Sequence, residues 1–147
     1  MPASGLEPIR HIRVDIASQR LWLLQGERLL REYPVSTARN GLGELIGSGC
    51  TPRGRHRIRL KIGAGCPAET VFVGRRPTGE QYSTELAERH PGRDWILGRL
   101  LWLTGCEPGR NRGGRYDTLR RFIYIHGTPD SGHLGTPVSH GCVRMDR

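Results

Sequence analysis

The amino-acid sequence predicts a single β-rich α+β domain over residues 1–147, a sandwich or flattened barrel of mainly antiparallel strands with one or two short helices. A chain of 147 residues is the size of one domain and can bury about two-thirds of its unfolded surface. Its 21 glycines and 10 prolines favour many turns and argue against a helix bundle. Apolar residues recur at every second position in short runs, which is typical of half-buried strands.

These alternating runs predict strands over residues 11–16, 20–24, 29–35, 57–62, 70–73 and 119–125. Only short polar segments separate the first three runs, so we expect an antiparallel meander. The run over 57–62 places three aliphatic residues, Ile58, Leu60 and Ile62, on the inner face, and it places three cations on the outer face.

Helix signals are fewer. Ser83 precedes a run of helix formers that ends at Arg89, which predicts a short capped helix. Residues 94–103 could form a helix or a strand, because their apolar residues are too dense to define a period, and of the two we favour a helix. Two glycine-rich stretches, 39–55 and 105–115, are predicted to be long loops.

Charge and cysteine content limit the classes of partner. The formal net charge is +9, and Lys61 is the only lysine, so arginines supply nearly all of the excess. These arginines are spread along the chain, and charge alone therefore identifies no partner. Residues 1–13 contain no apolar stretch of signal-peptide length, and no run approaches the ~20 residues of a membrane span. We therefore expect a cytoplasmic protein with free thiols, outside the membrane.

The last 30 residues contain the strongest chemical signal. A predicted strand leads to His126, and Gly141-Cys142 follows 15 residues later. A catalytic cysteine needs a nearby imidazole, a third group that orients the imidazole, and backbone amides that face the oxyanion. Glycine before the cysteine allows the backbone to turn tightly enough to present such amides.

The residues His126…Ser139-His140-Gly141-Cys142-Val143-Arg144 resemble the signature of the YkuD-type L,D-transpeptidase family. Weaker resemblance extends upstream, to Ser36-Thr37 and to Thr51-Pro52-Arg53-Gly54. The resemblance implies that Cys142 is the nucleophile and that His126 is the general base and later the acid. It implies that the carbonyl of Gly127 orients the imidazole, a backbone role that we expect any side chain to tolerate.

The same resemblance implies roles for the residues around the cysteine. The amides of Gly141 and Cys142, with that of His140, are expected to form an oxyanion hole. Ser139 is expected to shape the loop and bind substrate, and Arg144 is expected to meet a substrate carboxylate. No cofactor is implied. The substrates would be peptidoglycan stem peptides or muropeptides, cleaved at the bond between an L-centre and the D-alanine that follows it.

Two outcomes of this chemistry remain open. Transpeptidation needs two stem peptides held together, whereas a cytoplasmic enzyme would meet soluble peptides and abundant water. We therefore expect an L,D-carboxypeptidase that releases D-alanine during cytoplasmic muropeptide recycling. The alternative is an L,D-transpeptidase that forms cross-links or exchanges D-amino acids.

The sequence leaves other interpretations. A zinc site at His126, His133, His140 and Cys142 is a minor alternative, as is a basic nucleic-acid-binding domain that uses the cations of residues 57–62. The other cysteines, Cys50, Cys66 and Cys106, are expected to be packing residues. Residues 74–116 resemble an insertion that forms a lid or a substrate wall. The chain ends five residues after Cys142, so we expect an incomplete or differently closed C-terminal end.

Overall fold

The structure, a computed structural model, describes residues 9–147. Its first sheet is a meander of three antiparallel strands, β1 (Arg10–Asp15), β2 (Arg20–Gln25) and β3 (Arg28–Pro34). Gly26 adopts a positive φ of 58° in the tight turn between β2 and β3, a conformation that glycine reaches without strain. The predicted meander is confirmed.

A second sheet has six strands. They are β4 (His56–Ile62), β5 (Thr70–Val73), β6 (Arg76–Gln81), β7 (Ile96–Gly105), β8 (Tyr124–Thr128) and β9 (Val143–Asp146). The hydrogen-bonded order is β6-β5-β7-β8-β9, and β4 pairs with β7 as well. All pairs are antiparallel except β8 and β9, which run parallel.

The large sheet is apolar on both faces, because its strands alternate between two cores. One core contains Leu21 and Val35 of the meander region together with Ile125 and Val143. The other core lies on the opposite face and contains Phe72, Leu100 and Tyr124. Two packed sheets of this kind form a β-sandwich, and in residues 9–147 neither sheet closes into a barrel. The β-rich fold class is confirmed.

One helix, α1 (Thr84–Arg89), forms where it was predicted, and the Oγ of Ser83 caps it by accepting a hydrogen bond from the Leu86 N–H at 3.0 Å. The helix assigned to residues 94–103 is wrong, because this segment is mostly β7. Strand β7 is central and buried between neighbours on both edges, so it is apolar on both faces and shows no alternation.

The structure corrects three further expectations from the sequence. The strand predicted over 119–125 begins only at Tyr124, because residues 119–122 form turns. In β4 the register shifts between Ile58 and Leu60, so Leu60 is 44% exposed instead of facing inward. Residues 74–116 are not simply an insertion, because they include the central strand β7. No helix among the described residues has the length and apolarity needed to cross a membrane.

Candidate active site

Strand β8 carries His126 on the face of the large sheet that points away from the meander. His126 pairs with Leu100 of β7, and Tyr124 pairs with Trp102, so these four side chains share one face. The parallel register places Arg144 of β9 directly beside His126. His126 is 2% exposed, so the surrounding core holds the imidazole rigidly.

Cys142 lies just before β9 on the same face. Its Sγ accepts a hydrogen bond from the Tyr124 N–H at 3.3 Å and lies 3.5 Å from the Phe122 carbonyl O, toward which the thiol donates. The side chain also packs against the core around Phe72 and Tyr124. Because Tyr124 and His126 are two residues apart on β8, the sulfur and the imidazole occupy neighbouring positions on this face.

The third group beside the imidazole is a backbone carbonyl. His126 Nδ1 lies 2.8 Å from the Gly127 O, a contact that fixes the ring and leaves Nε2 for the reaction. The expectation that any side chain is tolerated at position 127 is wrong. A Cβ on Gly127 would overlap the Leu97 carbonyl O and would lie 2.9 Å from the Cβ of Arg147, so only glycine fits between these chains.

Burial keeps both reactive groups neutral at rest. It raises the pKa of Cys142 to about 11, although the Tyr124 N–H partly favours the thiolate. It also lowers the pKa of His126, against the opposing effect of the Gly127 carbonyl and the Asp94 carboxylate. The pair therefore rests as thiol and neutral imidazole, so a proton must move from sulfur to nitrogen during the attack on a substrate.

The catalytic loop, residues 139–144, is fixed by hydrogen bonds from upstream segments that the sequence associated with it. Thr51 Oγ1 donates to the Gly141 O at 2.9 Å, and the Ser139 N–H donates to the Thr37 O at 2.9 Å. Ser36 and Arg144 exchange two backbone hydrogen bonds, of 2.8 and 2.9 Å. These contacts hold the loop against the end of β9.

Ser139 shapes this loop from inside and offers no exposed atom to a substrate. It is 1% exposed, its Oγ donates to the Cys142 O at 2.6 Å, and the Gly141 N–H donates to the same Oγ at 3.2 Å. The substrate-binding role expected for Ser139 is therefore replaced by a loop-shaping one. Gly141 has a φ of +132°, which requires glycine.

These contacts reduce the number of amides that can form the predicted oxyanion hole. Because the Gly141 N–H donates to Ser139, the amides of His140 and Cys142 are the better candidates for oxyanion donors. Within residues 9–147, neither of these two N–H groups meets a hydrogen-bond acceptor. Unpaired amides next to the nucleophile in the chain are what a developing oxyanion needs.

Arg144 is already engaged by an acidic residue that the sequence analysis missed. Arg144 Nη2 lies 2.9 Å from the Asp94 Oδ1, and the Arg144 side chain is only 12% exposed. The exposed His140 places Nδ1 3.8 Å from the Asp94 Oδ2. These three residues and Trp95 line a cleft of about 190 Å³. Nothing in the sequence marked Asp94, because its partner is 50 residues away.

The structure separates the histidines of the zinc interpretation. His133 is exposed and pairs with Asp130, with Nδ1 2.7 Å from Oδ2. In the described part of the chain, no group of three His, Cys, Asp or Glu residues is arranged to hold a metal ion. Cys50, Cys66 and Cys106 are free thiols. Cys66 packs against the same core as Cys142, whereas Cys106 is exposed, so the packing role expected for Cys106 is wrong.

Comparison with known proteins gives a consistent result. Residues 9–147 match the family described as YkuD, L,D-transpeptidase catalytic domain. The fold is similar to that of an L,D-transpeptidase from Mycobacterium smegmatis, with 18% identity and a TM-score of 0.53 over 93% of this chain and 49% of that one. It is also similar to the LD transpeptidase LdtMt1, solved with imipenem, with 17% identity and a TM-score of 0.50 over the same shares.

No curated protein matches the chain. The chain spans about half the length of the two solved structures, and at these identities the similarity shows a common fold.

Proposed function

The chain belongs to the YkuD family of L,D-transpeptidase catalytic domains, and we propose from this membership and its site that it cleaves an L,D peptide bond of peptidoglycan tetrapeptides through a Cys142 thioester. The observation that carries the proposal is the shared face of Cys142 and His126, with the imidazole fixed by the Gly127 carbonyl. This arrangement supplies a nucleophile, a base and an orienting group in one rigid sheet.

The proposed reaction follows from the neutral resting pair. As Sγ attacks the carbonyl carbon, its proton passes to Nε2 of His126, and the oxyanion forms beside the free amides of His140 and Cys142. The imidazolium then returns the proton to the departing D-alanine nitrogen, which leaves a thioester on Cys142. Water or an amine, deprotonated by His126, attacks the thioester and releases the enzyme.

We propose water as the usual acceptor, which makes the enzyme an L,D-carboxypeptidase. Water is present at tens of molar, and an amine competes with it only where a dedicated pocket raises the amine's effective concentration. Family membership favours the second candidate, an L,D-transpeptidase, which uses the same thioester.

Mass spectrometry of a tetrapeptide incubated with enzyme and excess D-amino acid distinguishes the two functions. Free tripeptide as the main product supports the carboxypeptidase. An exchange product that greatly exceeds tripeptide identifies a transpeptidase. Recovery of intact tetrapeptide alone, with enzyme shown to be folded, contradicts the acyl-transfer proposal itself.

Imipenem provides a covalent test of the nucleophile, because LdtMt1 was solved with this compound. We expect one imipenem adduct, located by peptide mapping at Cys142 and absent from Cys50, Cys66 and Cys106, which lack an oriented imidazole. An adduct on one of those three cysteines with Cys142 unmodified contradicts the assignment.

The cellular part of the proposal is that the enzyme acts on soluble muropeptides in the cytoplasm during recycling of the cell wall. Soluble tetrapeptides are the substrates for which hydrolysis is the simplest outcome. Fractionation of the source cells with an antibody against the chain tests this location. Recovery in the cell-envelope fraction alone contradicts it.

A further inference from the structure

Three arginines adjoin the residues that hold Cys142 and His126, and they differ in what their guanidinium groups contact. Arg144 is beside His126 in the β8–β9 register, Arg121 precedes Phe122, and Arg75 is in the turn between β5 and β6. A peptide that ends in a free α-carboxylate needs a cation close to the bond that is cut. The contacts of each arginine indicate which one is available.

The guanidinium groups of two of these three arginines are already bound by other groups of the protein. Arg144 forms its ion pair with Asp94 at 2.9 Å. Arg121 points into the glycine-rich loop, where its Nη2 donates to the Cys50 O at 2.6 Å and its Nη1 donates to the Gly43 O at 3.2 Å. Arg121 therefore holds the loop in place, because its donors are directed at two backbone carbonyls and at the Ser48 Oγ, which is 3.4 Å from Nη2.

Arg75 is different. Its guanidinium carbon lies 4.7 Å from the centre of the Phe122 ring and 4.9 Å from that of Trp102, and its Nη1 donates to the Tyr124 Oη at 3.2 Å. This is its one hydrogen bond in the described chain, and no described carboxylate forms an ion pair with it. A guanidinium has five N–H donors, so most of those on Arg75 remain free.

The residues that hold Arg75 are also the residues that hold the sulfur. Phe122 accepts from the Cys142 thiol through its carbonyl, and Tyr124 donates its N–H to the same Sγ. Cys142 and Trp102 both pack against the core around Tyr124. The stacked arginine and the nucleophile are therefore fixed to one another through two shared residues.

Backbone strain is concentrated at this contact. Arg75 and Phe122 are two of three non-glycine residues in residues 9–147 with positive φ, at 67° and 56°. Arg75 follows Gly74 in a two-residue turn in which both φ values are positive, a position that Asn or Gly normally occupies. Non-glycine residues in this region are uncommon, and such strain tends to cluster at functional sites.

From these observations we propose that Arg75 binds the free α-carboxylate of the substrate's terminal D-alanine, which makes the enzyme specific for peptides with an unblocked C-terminus. This inference rests on the proposed function, in which D-alanine is the leaving group. Only three bonds, of about 1.3, 1.5 and 1.5 Å, separate that carboxylate carbon from the scissile carbonyl carbon. Stacking on two rings restricts the guanidinium before substrate binds, which lowers the entropic cost of the contact.

Binding to the Cys142→Ala variant tests the proposal without turnover. Titration calorimetry would compare a peptidoglycan tetrapeptide ending in D-alanine with the same peptide ending in D-alaninamide. We expect the acid to bind about 10- to 100-fold more tightly than the amide, as expected for loss of a charge-assisted hydrogen-bond pair. With Arg75→Gln added, that preference should disappear, and with Arg75→Lys it should be intermediate.

Arg76→Gln is the matched control, because Arg76 lies on the same hairpin, is exposed, and has no side-chain hydrogen bond or ion pair with the described residues. It should keep the full preference for the acid. Equal binding of acid and amide, a preference that persists in Arg75→Gln, or binding of neither peptide overturns the proposal. Preferential binding of the acid, lost in Arg75→Gln, with no D-alanine released by the enzyme that retains Cys142, supports the carboxylate site and refutes the proposed function.

Discussion

Two loops of this molecule contain fully buried polar side chains, and they use them differently. In the Asn111 loop, residues 105–118, the Nδ2 of Asn111 donates to the Arg53 O at 3.0 Å and to the Arg55 O at 2.9 Å. Its Oδ1 accepts from the Glu107 N–H at 2.9 Å. Asn111 is completely buried, and each of its polar atoms has a partner within the protein.

The catalytic loop also has a buried polar residue, Ser139, whose hydroxyl is satisfied. The difference is that this loop leaves the amides of His140 and Cys142 without acceptors in the described chain. Buried polar groups with partners stabilise a loop, whereas free donors beside a nucleophile indicate where a ligand's oxygen is expected. The Asn111 loop is therefore a stabilising loop, whereas the catalytic loop is a reactive one.

The largest effect is expected from Cys142→Ala. It should lower D-alanine release by more than about 10⁴-fold, because no other described group beside His126 can form the thioester. The thiol packs against the core, so the variant should also lose about 1 kcal/mol of unfolding free energy. A product assay measures the loss of D-alanine release, and thermal unfolding measures the loss of stability. Substantial residual turnover in this variant contradicts the assignment of the reactive loop.

His126→Ala should lower kcat/KM by about 10²- to 10⁴-fold, the usual contribution of a general base. His133→Ala is the control, because His133 is an exposed histidine in the same C-terminal region whose side chain pairs with Asp130. Its kcat/KM should stay within a few-fold of that of the unchanged enzyme. A loss in His133→Ala as large as that in His126→Ala would favour the metal interpretation over the cysteine–histidine pair.

In the Asn111 loop we expect a substitution to lower the stability of the protein and to leave its activity nearly unchanged. Asn111→Ala removes the hydrogen bonds to Arg53, Arg55 and Glu107 and leaves buried backbone groups unpaired, so the unfolding free energy should fall by about 3 kcal/mol, while kcat/KM of the folded fraction changes little. Asn40→Ala is the control, since Asn40 makes one exposed side-chain bond, to the Ser48 O, and should cost under about 1 kcal/mol. If Asn111→Ala abolishes activity at unchanged stability, the two loops are not distinct in function.

Sequence reasoning was most accurate where local signals are strong. Alternation located the meander, and the Ser83 cap located α1, because both depend on neighbouring residues. It failed for β7, whose burial on both faces removes the alternation, and for β6, where Pro77 and Gly79 conceal a strand. Element boundaries that depend on partners across the sheet cannot be predicted from neighbouring residues in the sequence.

In the candidate site, too, residues close in sequence were predicted and residues with distant partners were not. The motif around Cys142 and His126 could be identified because its residues are close in sequence, and the structure places them on one face. Asp94 and Arg75 could not be found this way, because each meets its partner across about 50 residues of chain. Gly127 was misjudged for the same reason: the atoms that forbid a side chain there belong to Leu97 and Arg147.

The smallest effect concerns the pH dependence of kcat/KM. Because burial lowers the pKa of His126, the imidazole is neutral, and able to accept a proton, at lower pH than an ordinary histidine. The rising limb of the profile should therefore have its midpoint below about 6.5, the usual histidine value. Burial raises the pKa of Cys142 to about 11, so no thiol ionisation should add a second limb near neutral pH.

A substitution of Asp94 provides a second test of this pH dependence. Its carboxylate favours the imidazolium and thus raises the pKa of His126 against the effect of burial, whereas Arg144, its ion-pair partner, lowers it. Asp94→Asn removes the raising effect and leaves Arg144 charged, so the rising limb should move to still lower pH. Glu85→Gln, on α1 and paired with Arg89, is the control and should leave the limb in place. A midpoint at or above the usual histidine value, or a shift of the limb to higher pH in Asp94→Asn, would contradict the assignment of this limb to a buried His126 whose pKa Asp94 raises.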